Sequence, residues 1–169
     1  VVTNLLQLNK DASIRKTSRL EPREVRVLIN IGSYMPIKSA DIAYLGRLDS
    51  YTVSRAVKSL LSESLIAIEE HPTNKKVKNL VLTDKGADLY RTVVDQIESR
   101  THELESVLSE TERQELLRML ALLESKSESM IANHATTERD LGQVIPTDQK
   151  EIIRWYRKSS RNQMYPNRN

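Results

Sequence analysis

Residues 39–58 read Ser39-Ala40-Asp41-Ile42-Ala43-Tyr44-Leu45-Gly46-Arg47-Leu48-Asp49-Ser50-Tyr51-Thr52-Val53-Ser54-Arg55-Ala56-Val57-Lys58. Ser39 is suited to cap a short helix carrying Ile42, Ala43 and Leu45, with Asp41 favourably placed in its first turn and Gly46 closing it. Asp49 or Ser50 then caps a second helix, whose inward side is Val53, Ala56 or Val57, and Leu60 or Leu61. Two short helices joined by a tight turn containing glycine form a helix-turn-helix.

The pattern changes on either side. Leu65-Ile66-Ala67-Ile68 and Val77 to Leu82 are short β-prone runs separated by the polar stretch His71-Pro72-Thr73-Asn74-Lys75-Lys76, which predicts a hairpin with a lysine-bearing tip. A hairpin directly after a helix-turn-helix is a wing. Upstream, Glu21-Pro22 opens a helix buried through Val25, Leu28, Ile29 and Ile31, with Gly32, Ser33 and Pro36 as stop signals. Before it, Val1, Leu5, Leu8 and Ala12 share one helical face. Downstream, Thr83-Asp84 caps a long helix with Leu89, Val93, Ile97, Leu104 and Leu108 along one side. Ser109-Glu110-Thr111-Glu112 is a break with capping-box chemistry. A second long helix follows with Leu116, Leu117, Leu120, Leu123, Met130 and Ile131. Residues 133–146 read as a connector to a last short helix bearing Ile152, Ile153, Trp155 and Tyr156.

The expected architecture is mainly α: a winged helix-turn-helix with long N- and C-terminal dimerisation helices and a small β-hairpin wing. Its parts are an N-terminal dimerisation helix at 1–20, the winged domain at 21–84, long dimerisation helices at 85–132, and a C-terminal extension at 133–169. The apolar sides of the long helices need a partner. A second copy of the chain is the simplest one, and an intrachain hairpin is the alternative.

Composition narrows the function classes. The chain has 169 residues, enough for a substantial core, with one Trp, six Tyr and no Phe, so that core is built from aliphatic side chains. There are no cysteines, which excludes disulfides and thiol chemistry and is compatible with the cytoplasmic location expected here. No apolar run is long enough to span a bilayer, and VVTNLLQLNKDAS does not have the pattern of a signal peptide. The net charge of +3 is uneven: residues 86–132 carry five basic and ten acidic groups, whereas 1–37 carry six and three, 38–85 eight and six, and 133–169 seven and four. Acidic surface faces away from phosphate more favourably than toward it. No nucleophile motif or phosphate-binding glycine loop is present, and His71, His102 and His134 are widely spaced. No enzyme activity, cofactor or metal is therefore expected.

The chemistry that remains is nucleic-acid binding. With Val53, Val57 and Leu60 inward, Ser50, Tyr51, Ser54, Arg55 and Lys58 fall on sides that can face outward. Hydroxyls permit close approach, arginine pairs a guanine edge bidentately, and lysine suits phosphate. Thr52, and Ser39 at the start of the preceding helix, complete the expected face. Lys75, Lys76 and Lys78 put three positive charges within four residues on the wing, where they can follow a phosphate backbone or enter a minor groove. Duplex DNA is thus the expected partner. The alternative is a winged-helix module that binds protein without sequence-specific DNA binding, using an exposed apolar tail surface at Ile152-Ile153-Trp155-Tyr156.

The order of elements resembles the MarR family of transcription regulators. The resemblance is carried by Leu20-Glu21-Pro22-Arg23-Glu24-Val25-Arg26-Val27-Leu28, Asp41-Ile42-Ala43, Asp49-Ser50-Tyr51-Thr52-Val53-Ser54-Arg55 and Leu80-Val81-Leu82-Thr83-Asp84-Lys85-Gly86, and it covers roughly residues 1–132. The sequence departs from the family where Asn74-Lys75 stands in place of the usual Asp-Arg pair of the wing, where Ser64 replaces the usual glycine before the first wing strand, and where 133–169 extend past the usual end. The resemblance implies a homodimer that reads a pseudo-palindrome. It also implies repression relieved by a small, often aromatic or anionic, ligand between the dimer helices and the winged lobe. Arg15 and Arg19 are the candidates to meet its carboxylate, against the alternative that they are ordinary surface arginines.

Overall fold

The aliphatic spacing of residues 22–34 produces the helix around which the first part of the chain packs. In the computed structural model, which describes residues 4–6, 8, 18–71, 74–146, 150–151 and 153–156, with backbone alone at 71 and 74–77, the chain divides into two compact units, Val1–Leu104 and Glu105–Asn169. Among the described residues no helix is long and apolar enough to cross a membrane.

In the first unit, α1 spans Pro22–Tyr34. Pro22 occupies the first turn, where its missing N–H has no partner to lose. The Glu21 amide donates to Glu24 Oε2 at 2.8 Å. Val25, Val27, Leu28 and Ile31 are fully buried. The helix does not stop at Gly32 and Ser33 as the sequence suggested; it runs to Tyr34, and Pro36 follows its C-cap, Met35. Gly32 serves packing instead. A β-carbon there would lie 2.4 Å from the Tyr90 ring, and Ser33 Oγ and the Tyr90 hydroxyl are 3.2 Å apart in a hydrogen bond.

Helix α2 spans Ser39–Gly46 and α3 spans Ser50–Ser62. The N-cap of α2 is Lys38, not Ser39, which is already helical. Its left-handed C-cap is Arg47, at φ 49°, one residue beyond Gly46. In α3 the buried residues are Val53, Ala56 and Leu60, which settles both open pairs. Val53, Ala56 and Leu60 follow one another at steps of three and four, so one side of the helix is apolar and the other polar.

Strand β1 (Ile66–His71) pairs antiparallel with β2 (Asn74–Leu82), with Ile66 opposite Leu82 and Glu70 opposite Lys78. Ile37 forms a bridge to Leu80 through reciprocal bonds of 3.2 and 2.8 Å, so the segment between α1 and α2 is stitched to the wing. Helix α4 spans Asp84–Glu105, and Thr83 caps it by accepting from the Gly86 amide at 3.1 Å. Val93 packs with Val25, flanked by Leu20, Ile29, Leu89 and Ile97. Leu108, expected on this helix, lies in the turn beyond it. Of the N-terminal helix anticipated over residues 1–17, residues 4–6 and 8 are helical, with Leu5 and Leu8 exposed; Val1 and Ala12 lie outside the described residues.

In the second unit, α5 spans Glu110–Asp140 behind the expected capping box: Ser109 Oγ accepts from the Glu112 amide at 3.3 Å, and Glu112 Oε2 accepts from the Ser109 amide at 2.8 Å. The connector anticipated from residue 133 begins only at Leu141. Residues 133–140 stay helical because Ala132 and Ala135 are buried, and Ala135 packs with Ile145 and Ile153 of the returning chain. Gly142, at φ 74°, makes the reversal.

Candidate nucleic-acid interface

The start of α3 is fixed by Asp49. Its carboxylate accepts from the Thr52 amide at 2.8 Å and from the Thr52 hydroxyl at 2.6 Å. Those bonds hold the Asp49 carboxyl below its ordinary pKa, the hydroxyl contributing most. Thr52 was expected to face DNA; its hydroxyl is instead committed to this cap, and its side chain is half-buried.

The next turns present what the helical period predicts. Ser50, Tyr51, Ser54, Arg55 and Lys58 are exposed, back to back with buried Val53, Ala56 and Leu60, while Val57 is only half-buried. Tyr51 is 70 % exposed, and the Arg55 guanidinium carbon stands 5.7 Å from the centre of its ring. Ser39 is exposed at the first turn of α2.

What holds α2 and α3 in register was not legible in the sequence. Arg26, on α1, donates through Nη2 to the Gly46 carbonyl at 2.6 Å, placing a cation at the C-terminus of α2. Arg47 lies over the Tyr44 ring at 4.7 Å and donates to the Tyr44 carbonyl, while Leu48 is buried in the turn. At the far end of α3 the chain enters the wing through Ser64, at φ 55°. Thr83 Oγ1 donates to the Ser64 carbonyl at 2.8 Å, and Lys85 Nζ donates to the Glu63 carbonyl at 2.7 Å. These contacts tie the end of α3 to the start of α4.

The wing is longer than its sequence pattern suggested. Asn74, Lys75 and Lys76 belong to β2, not to a loop tip, and Asn74 pairs with His71. Pairing therefore reaches almost to the turn, whose residues 72 and 73 lie outside the described residues. Lys78 is exposed opposite the exposed Glu70, so the wing carries acidic as well as basic groups. Arg15 lies outside the described residues, and Arg19 is exposed in the bend before α1.

The tail surface expected of a protein-binding module is not exposed: Ile153 and Trp155 are buried and Tyr156 is half-buried, and Ile152 lies outside the described residues. Ile153 packs with Ala135 of α5 and with Ile145.

Residues 20–78 match the model of the MarR family. No curated protein matches the chain. Among solved structures, a MarR/EmrR family transcriptional regulator from Acinetobacter sp. ADP1 is 25% identical, with a TM-score of 0.69 over 76% of this chain and 90% of that one. Staphylococcus aureus MepR, solved in complex with DNA, is 20% identical with a TM-score of 0.66, over 74% and 91%. Staphylococcus aureus MarR, solved with salicylate and kanamycin, is 19% identical with a TM-score of 0.64, over 73% and 83%. The likeness to the last two is one of fold. Residues 20–78 are thus a MarR-family domain, set in a chain with the winged-helix fold of that family's transcriptional regulators.

Proposed function

We propose that the chain is a transcription regulator, a repressor, that binds pseudo-palindromic duplex DNA as a homodimer and is released by a small aromatic or anionic ligand. The observation that carries this reading is the division of α3: one side is buried through Val53, Ala56 and Leu60, and the other offers Ser50, Tyr51, Ser54, Arg55 and Lys58 to solvent. Such a helix fits a major groove, with hydroxyls and cations available to phosphates and base edges. Ser39 and the wing lysines Lys75, Lys76 and Lys78 add backbone contacts in this reading.

Dimerisation is supported by what one copy leaves uncovered. Leu116, Leu117, Leu120, Leu123 and Ile131 of α5 are all more than 40 % exposed. Fully burying such a side chain is worth roughly 1.5–3 kcal/mol, and a second copy supplies a matching apolar face. The proposed dimerisation parts are residues 1–20 and 85–132, around a DNA-binding part at 21–84. The ligand is the least constrained element of the proposal. A structural relative binds salicylate, and Arg15 and Arg19 are the cations proposed to meet a carboxylate of that kind.

The test is unbiased selection of bound DNA fragments, together with mass in solution. Two-fold related half-sites and a mass twice 19.4 kDa are expected, and added salicylate should lower the affinity. A species of single mass that selects no fragment would refute the reading.

A further inference from the structure

Arg55 and Tyr51 are four residues apart on α3, so both side chains rise from one face of the helix. Both are exposed, and the guanidinium carbon lies 5.7 Å from the ring centre, within the range of a cation–π contact. The ion pairs found among the described residues, Arg91–Asp88, Arg113–Glu110, Arg118–Glu115 and Arg139–Asp140, do not involve Arg55. Lys58, one turn further on, is also exposed and adds a second positive charge. Among the described residues, Arg55 thus has an aromatic ring beside it and no carboxylate ion pair.

We propose that Tyr51 and Arg55 act as one reading element, in which the Tyr51 ring holds the Arg55 guanidinium so that its N–H edge pairs with the O6 and N7 of a guanine in the major groove. The inference rests on the DNA-binding reading above and adds a base and a positioning residue to it. A cation–π contact at this distance engages none of the guanidinium N–H groups as hydrogen-bond donors to the ring's oxygen, and the N–H edge is what forms the bidentate pair with guanine. The ring also restricts a side chain that is otherwise rich in rotamers, which lowers the entropy lost on binding. Arg55 lies in the second turn of α3, in the N-terminal half from which such helices contact bases. Tyr51 is a positioning residue here, because it acts through Arg55.

The experiment uses the full-length protein and the half-site it selects. With wild-type protein, one position of the half-site should demand guanine, and replacing that base by deazaguanine, which lacks N7, should weaken binding about tenfold. Tyr51→Leu and Arg55→Lys should each flatten the preference at that position, so that guanine and the other bases there are bound alike. Tyr51→Phe keeps the ring and should keep the preference. If Tyr51→Leu binds with the guanine preference intact, the pair is refuted and the DNA-binding reading stands. If the wild-type protein binds no duplex at all, both fall.

Discussion

A β-carbon added at Gly86 would stand 1.8 Å from the carbonyl oxygen of Leu65. Backbone meets backbone here: the first turn of α4 presses on the residue that leads into the wing, and the Leu65 carbonyl also accepts from the Thr83 amide at 3.1 Å. No side chain can rotate away to relieve the clash. Gly86→Ala should therefore destabilise the winged domain at the upper end of overpacking substitutions, by about 3 kcal/mol or more. Denaturant unfolding checks this, and a loss below about 1 kcal/mol would contradict the close approach.

Ser64 offers the opposite case. Its φ of 55° is left-handed, a conformation that costs an L-residue roughly 1–2 kcal/mol and glycine almost nothing. The serine side chain is exposed, and the hydrogen bond to Thr83 uses the backbone carbonyl, which glycine retains. Ser64→Gly should raise stability by about 0.5–1 kcal/mol, seen as an increase in Tm.

The Asp49 cap makes a pH prediction. Its folded pKa lies below the ordinary aspartate value of 3.8, so its stabilisation is present above that value and is lost as pH falls through the lowered folded pKa. Asp49→Ala should cost about 1 kcal/mol at neutral pH. The gap between wild type and variant should narrow as the pH is taken below 3.8, whereas Asp49→Asn, whose cap does not titrate, should show no such narrowing relative to Ala. Urea unfolding of the three proteins across that range checks the sign.

For the proposed recognition face, Arg55→Ala combined with Lys58→Ala should weaken duplex binding by about tenfold or more and make it less sensitive to salt. Both side chains are exposed on α3, so the fold should be unaffected. Shift assays at several salt concentrations, with circular dichroism as a control, are the measurement.

The chain's single tryptophan is Trp155, 6 % exposed. Ala135 is fully buried against Ile145 and Ile153, so Ala135→Asp places a charge in that contact. The returning segment should detach, with Trp155 emission moving to longer wavelength and becoming accessible to iodide. Ala135→Ser, smaller in its effect, should leave the emission near that of the wild type.

Local chemistry carried much of this fold. Apolar spacing announced α1, α3 and the long helices; Ser109 with Glu112 marked the start of α5; alternation around Leu80 marked the wing; and the outward set from Ser50 to Lys58 followed from the period of α3. Those signals need only neighbours in the chain, so they are written in order along it. Other features depended on what each residue meets in space. Gly32 continues α1 because Tyr90 lies on it, Arg26 closes α2 from another helix, Arg47 and not Gly46 adopts the left-handed turn, Thr52 is drawn to Asp49, and α5 runs on past Ala132 because Ile145 and Ile153 return to cover its small side chains. In each of these the deciding contact comes from the packed molecule, and a linear pattern of propensities holds no record of it.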